Sequence, residues 1–353
     1  MKVKDHQRAP LLKDVRLGFY LIIILVFVFA FYLIRVPYSG LGLTLSAFLV
    51  LVLCVAPYIL LANSTLIKVL RKDLETNSKQ VWILPSFLFV LFLLYALITG
   101  TIDGTGVLMG FLYCFMPFLL VIPLKNSSSV LTIWDVLLIL FLWLPVEFGF
   151  VPELGIPHAQ SVVGLYLLIG LNILLYIYLV VRQLPGMGYT FRLKDHEWRT
   201  AIMNFLILLV IVILIGLLTQ FISFSRYMPS FGEMLQKLLF ICFFVALPEE
   251  ILFRGVALNL IEKRLAGVKN AGMVAVVITS VIYGLAHGNN ANPPFIDLSL
   301  GSLGVWQVPW AFIILTTIAG FFYGLTYIKT RKIFAAAVVH LLINWVWFVF
   351  FSG

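Results

Sequence analysis

The chain alternates between long apolar runs and short polar connections. A helix needs about 20 apolar residues to cross the hydrocarbon core of a bilayer. Runs of that kind occupy 17–35, 41–63, 81–100, 105–124, 131–150, 161–181, 201–223, 236–262, 271–287, 309–328 and 333–352. They are continuous, without the period-two alternation of a membrane-spanning strand, which argues against a β-barrel. The pattern predicts an all-α, polytopic transmembrane helical bundle of about eleven spans. The first run is too long for a signal-peptide core and no small-residue cleavage site follows it, so an uncleaved first span is expected.

Charge gives the bundle a direction. Lys2, Lys4, Arg8, Lys13 and Arg16 precede the first run. Alternate connections then carry Lys68, Arg71, Lys72 and Lys79; Lys125; Arg182, Arg192, Lys194 and Arg199; Lys263, Arg264 and Lys269; and Lys329, Arg331 and Lys332. Arg35 and Arg226 fall on the opposite side, while Lys237 and Arg254 lie within the eighth run. The positive-inside tendency therefore predicts an N-terminus inside and a C-terminus outside. The long polar connection at 183–200 divides the chain. Residues 1–190 form an N-terminal helical region of open role, and 191–353 hold the chemistry-bearing motifs, within 235–350.

Composition agrees with this picture. Hydrophobic residues make up 62% of the 353 positions and charged residues 11%, with a mean hydropathy of +1.09. Soluble domains carry about 25% charged residues, so a soluble enzyme, a disordered tail and a disulfide scaffold are excluded. The net charge of +9 is spread over the connections and forms no patch, so no nucleic-acid partner is expected. Cys54, Cys114 and Cys242 sit inside apolar runs with neither pairing nor ligand spacing, as small buried hydrophobes do.

Ionisable groups inside a span are expensive and mark function by default. Asp135 and Glu147 lie in or near the fifth run and are expected to be structural or interfacial. The last third differs. The eighth run contains Pro248-Glu249-Glu250-Ile251-Leu252-Phe253-Arg254-Gly255, the ninth Tyr283-Gly284-Leu285-Ala286-His287, and the eleventh His340-Leu341-Leu342-Ile343-Asn344. Each insertion holds an i, i+4 pair on one helix face: Glu250 with Arg254, Tyr283 with His287, and His340 with Asn344. Three such faces converging on one cavity would make an active site.

The chemistry of the set is consistent with hydrolysis. Adjacent carboxylates in low dielectric repel each other. Arg254 can neutralise Glu250, while Glu249, about 100° around the helix, lacks that partner and is the better base. His287 can share or relay the proton, and His340 and Asn344 can donate to an oxyanion. Arg254 is expected to support Glu250 rather than to react. The same residues also permit a metal reading, in which His287, His340 and Glu250 hold zinc and the other glutamate is the base. The H-E-x-x-H zinc sequence is absent, so the cofactor stays open between zinc and none. No G-x-S-x-G, P-loop or G-x-G-x-x-G occurs. Gly320-Phe321-Phe322-Tyr323-Gly324 in the tenth run is a small-xxx-small face for close helix approach, with shaping of the site wall as its functional alternative. The connection 288–308, directly after His287, is long for a bundle and is a candidate lid or substrate entrance.

In this order, E-E-x-x-x-R, aromatic-x-x-x-H and H-x-x-x-N resemble the CPBP intramembrane proteases. These comprise the type II CAAX prenyl endopeptidases and their bacteriocin-processing or immunity relatives. Ala319-Gly320-Phe321-Phe322-Tyr323-Gly324 resembles the same family, and the likeness covers roughly 235–350. The resemblance implies a helical membrane fold and peptide-bond hydrolysis. It implies Glu249 and His287 as the water-activating pair, His340 and Asn344 as oxyanion donors, and Glu250 and Arg254 as support. Tyr283 stands where the family usually has phenylalanine, and its extra hydroxyl is placed to hydrogen-bond within the site or to meet substrate. The expected partners are a peptide or membrane-protein substrate and the lipid bilayer, with the oligomeric state open. The expected location is a prokaryotic cytoplasmic membrane. Competing readings are a non-catalytic scaffold or bacteriocin-immunity protein and a proton-coupled transporter. The position of His287 at the outward end of its run places the site in the outer half.

Overall fold

The computed structural model describes residues 16–27, 38–124, 130–151, 164–290, 293–299 and 305–352. Lys2, Lys4, Arg8 and Lys13, the end of the first expected span with Arg35, Lys125, and the exit after Glu147 at 152–163 lie outside these residues. The chain divides into two units, Met1–Pro185 and Gly186–Gly353.

The first unit contains α1 Arg16–Phe27, α2 Tyr38–Leu60, α3 Ser64–Thr76, α4 Ile83–Thr99, α5 Gly104–Val121 and α6 Ile133–Glu147. It ends with α7 Leu165–Val181. The sequence pattern reads 64–80 as a polar connection, yet α3 forms there. Its apolar positions Leu66, Ile67, Leu70 and Leu74 recur at helical spacing among charges. Asn63 caps it, accepting from the Thr65 and Leu66 amides at 2.8 and 3.1 Å. Buried polar side chains tie the unit together. Asn172 on α7 donates to the Cys54 carbonyl on α2 at 2.7 Å, and the Tyr113 hydroxyl on α5 donates to the Leu142 carbonyl on α6 at 2.6 Å.

The second unit contains α8 Asp195–Leu218 and a continuous α9 over 231–264. It continues with α10 Ala271–Ala286, α11 Trp310–Thr330 and α12 Ile333–Phe350. Two short antiparallel pairs accompany these helices: β1 Ser223–Phe224 with β4 Phe351–Ser352, and β2 Ile296–Ser299 with β3 Val305–Val308. The second pair occupies the connection expected as a lid or entrance. Its Ile296, Leu298, Val305 and Trp306 side chains are exposed. On the helices, Asn204 of α8 donates to Thr326 of α11 at 2.7 Å, and the Trp345 indole of α12 donates to the Met234 carbonyl of α9 at 2.9 Å.

Each expected run coincides with a helix where it is described. Among the described residues, six helices are long and apolar enough to cross a membrane: 40–60, 78–99, 104–124, 195–218, 310–330 and 333–350. With this composition, the chain is an integral membrane protein. Cys54, Cys114 and Cys242 are free and buried.

α9 is not uniform. Its turns widen to π geometry at Cys242–Ala246 and again at Ile251–Leu258, on either side of Leu247–Glu250. Pro248 explains the first widening. It has no N–H to close the preceding turn, and its ring crowds the carbonyl four residues back. Widened turns inside helices often accompany functional residues, and here they flank the adjacent glutamates.

Candidate active site

The two adjacent glutamates have different surroundings. Glu250 is fully buried. Its Oε1 accepts from Arg254 Nη1 at 3.0 Å and meets His340 Nδ1 at 3.0 Å. Arg254 is equally buried. Its Nη2 donates to the Gly320 carbonyl at 2.9 Å, and its guanidinium stands 4.6 Å from the Tyr283 ring centroid and 5.2 Å from that of Tyr323. The i, i+4 pair expected from sequence is therefore sealed between helices. Glu250 Oε2 and Arg254 Nε are buried without partners. A buried ion pair with unmet groups is a poor source of stability, which favours a positioning role for it.

Glu249 keeps 31% of its side chain exposed. Its Oε2 accepts the Tyr283 hydroxyl at 2.7 Å and lies 4.0 Å from His340 Nε2. Arg254 pairs with Glu250 and not with Glu249, as the spacing implies, and the partner of Glu249 is instead the Tyr283 hydroxyl. The hydroxyl that distinguishes Tyr283 from phenylalanine anchors this carboxylate from α10.

The histidines are held by their Nδ1 atoms. His287 caps the end of α10, and its Nδ1 stands 2.8 Å from the Tyr283 carbonyl. A carbonyl only accepts, so Nδ1 carries the hydrogen and Nε2 is the nitrogen left for other chemistry. His340 on α12 gives Nδ1 to Glu250 and directs Nε2 towards Glu249. Tyr323 stacks on the His340 ring at 4.7 Å and 10°. Sequence reasoning did not single out Tyr323. Its signal was its place inside the Gly320–Gly324 stretch, one helical turn from the arginine-binding carbonyl.

The glycines permit these approaches. A methyl at Gly320 would stand 2.9 Å from Tyr283 Cδ1 and 3.1 Å from Arg254 Nη2. One at Gly284 would overlap Thr317 Oγ1 and approach the Ile313 carbonyl to 2.8 Å. The small-xxx-small face of α11 therefore brings α10 close and admits the arginine at the same positions.

A cavity of about 570 Å³ collects these groups. Glu249, Tyr283, His287, Tyr323, His340 and Asn344 line it, with an otherwise mainly apolar wall that includes Ile241, Val245, Phe312 and Trp347. Glu250 and Arg254 do not line it; Glu250 contacts His340 and Arg254 lies against the Tyr283 ring, both of which do. The lining comes from Leu209–Ile213 of α8, Lys237–Glu249 of α9, the end of α10, Phe312–Tyr323 of α11 and His340–Phe348 of α12. It runs from the helix ends away from the basic connections around Lys194, Lys263–Lys269 and Lys329–Lys332 to about the middle of α9, α11 and α12.

The zinc set His287, His340 and Glu250 is not assembled. Among the described residues, no three His, Cys, Asp or Glu side chains are placed to share a metal ion. Glu250 Oε1 is divided between Arg254 and His340, and Glu250 does not line the cavity that His287 and His340 share.

Asp135 and Glu147 belong elsewhere. Asp135 is fully buried in the first unit, paired with Arg182 and hydrogen-bonded by Tyr178 at 2.9 Å. It also closes a capping box with Thr132 at the start of α6. Glu147 accepts from the Trp143 indole at 3.2 Å.

Comparison with known families supplies an independent finding. Residues 231–346 match the family model described as Rce1-like, type II CAAX prenyl endopeptidase Rce1-like. That segment contains Glu249, Glu250, Arg254, Tyr283, His287, His340 and Asn344, and it overlaps nearly all of the stretch, roughly 235–350, that resembles the CPBP proteases. No curated protein and no solved structure matches the chain.

Proposed function

We propose that this protein is an intramembrane endopeptidase of the CAAX-endopeptidase type, in which Glu249 and His287 activate the attacking water. The observation that carries this reading is the inequality of the paired glutamates. Glu249 reaches the cavity beside His340, whereas Glu250 is sealed against Arg254. The family match at 231–346 supports the same reaction class.

The chemistry follows from the contacts. A water between Glu249 and His287 gives a proton to Glu249 as its oxygen attacks the substrate carbonyl. Charge then develops on the carbonyl oxygen. The Asn344 amide donates to it. His340, when both ring nitrogens carry protons, donates Nδ1–H to Glu250 and Nε2–H to the oxyanion. The proton held by Glu249 passes to the departing amine, and the C–N bond breaks. His287 Nε2 relays protons because its Nδ1 is occupied by the Tyr283 carbonyl. Tyr283 positions Glu249, and Glu250 with Arg254 positions His340.

Orientation narrows the substrate. With the basic connections inside and the N-terminus inside, the cavity occupies the outer half of the membrane. The substrate is a peptide or membrane-protein segment that enters this half, and a prokaryotic cytoplasmic membrane suits the charge bias. The test is a comparison of peptide termini in membrane and secreted proteomes from cells expressing wild-type protein or Glu249→Ala at matched levels. New termini that vanish in the variant are expected. Identical profiles would overturn the reading and favour a non-catalytic scaffold.

A further inference from the structure

Lys237 lines the same cavity but has no part in the chemistry above. Lys237, Ile241, Val245 and Glu249 all face the cavity from α9 at a spacing of four, so one stripe connects a cation to the proposed base. The ammonium lies 5.5 Å from the Phe240 ring centroid and 5.3 Å from that of Phe348. None of the ion pairs among the described residues includes it. The acid one turn before it, Glu233, accepts from Ser230 and Tyr227. A half-buried ammonium in an apolar wall has lost part of its hydration, and aromatic faces return only a fraction of that. A carboxylate delivered into the cavity would supply the rest.

Resting on the reading above, we infer that Lys237 is a specificity-determining residue that selects peptides carrying a carboxylate at a set distance from the cleaved bond. A helix rises about 1.5 Å per residue, which places Lys237 and Glu249 roughly 18 Å apart along α9. The widened turn at Cys242–Ala246 shortens that span. An extended peptide advances about 3.3–3.6 Å per residue. The carboxylate and the cleaved bond are therefore separated by about four to six residues. The carboxylate is either an acidic side chain or a free chain end, and the chemistry at Lys237 is the same for both.

The experiment uses full-length protein in lipid nanodiscs and three otherwise identical fluorescent peptides, built around a cleavage sequence found by terminus mapping or, failing that, an apolar core. One carries Glu five residues from the central bond and an amidated end. The second carries Gln there and ends in a free carboxylate at the same distance. The third carries Gln and an amidated end. Binding is read in Glu249→Gln protein and cleavage in protein with Glu249 intact. At least one acidic peptide is expected to bind about tenfold more tightly than the neutral one, and the stronger of the two identifies the carboxylate's source. Lys237→Gln is expected to remove that preference while leaving binding of the neutral peptide unchanged. Lys237→Glu is expected to reverse it, favouring a fourth peptide that carries Lys in place of the Glu and an amidated end. Equal losses for all three peptides, no preference in the wild-type cavity, or no binding at all would overturn the inference, leaving Lys237 as a side chain that snorkels to the interface. Charge-selective binding without cleavage would instead overturn the protease reading and leave Lys237 as a binding determinant.

Discussion

Two buried acid–arginine pairs, one in each unit, show what separates a fastening from a site. In the first unit, Asp135 binds Arg182 and Tyr178 through one oxygen and Thr132 through the other. Both oxygens are used to fix the start of α6 against the end of α7. In the second unit, Glu250 binds Arg254 in the same manner, but its other partner is His340, and Glu249 stands beside it with 31% of its side chain exposed. Both pairs are expensive to bury. The second pair is accompanied by a second carboxylate, two imidazoles, an amide and a cavity. An intramembrane charge is thus a weak indicator by itself, and what its partners leave unsatisfied is the stronger one.

The comparison can be broken at several points. Truncating either acid leaves its arginine buried and uncompensated. Asp135→Ala and Glu250→Ala are each expected to cost about 3–5 kcal/mol of stability, read as a lower melting temperature in detergent, but only Glu250→Ala should also disorder His340. If both variants melt like the wild type, the pairs are not the fastenings described. Next is Asn344→Ala, expected to slow cleavage by about 10²–10³-fold without a change in melting temperature. An unchanged rate would remove Asn344 from the oxyanion site. Gly320→Ala pushes a methyl against Tyr283 and Arg254 and is expected to cost about 1–3 kcal/mol as overpacking. Gly232→Ala, where a methyl meets nothing within 4 Å, is the control and should melt as the wild type does. The smallest effect belongs to Tyr283→Phe, which removes one hydrogen bond to Glu249. About 1 kcal/mol is expected there, appearing mainly as a several-fold lower kcat.

Much of this arrangement was legible from residue spacing. The i, i+4 pairs Tyr283/His287 and His340/Asn344 lie on faces that the structure brings to one cavity, whereas on the eighth run it is Glu249, outside the Glu250/Arg254 pair, that reaches it. The Glu250–Arg254 pair was legible for the same reason. Other features depend on tertiary contact and leave little periodic trace. The stacking of Tyr323 on His340 requires α11 to approach α12 at a particular register. The first widened turn of α9 arises where Pro248 interrupts the backbone ladder, and hydrophobic pattern alone carries no mark of it or of the second. α3 was hidden because a short amphipathic helix resembles a charged connection when only long apolar runs are sought. The zinc set follows from composition alone, whereas among the described residues its three side chains are not placed to share one ion. The division expected at 190/191 compares with units that part at Pro185 and Gly186, next to the left-handed glycines Gly186 and Gly188. A side chain at Gly188 would overlap the Arg331 carbonyl.

The central claim is that chemistry resides in the partly exposed member of the glutamate pair rather than in buried charge as such. The most direct test measures cleavage of one substrate by reconstituted wild-type, Glu249→Gln and Asp135→Asn proteins, with melting temperatures recorded for each. The account predicts that Glu249→Gln melts near the wild type and cleaves about 10²–10⁴-fold more slowly, while Asp135→Asn melts lower and, below its transition, cleaves at the wild-type rate. Full activity in Glu249→Gln, or equal loss of activity in both variants, would contradict it.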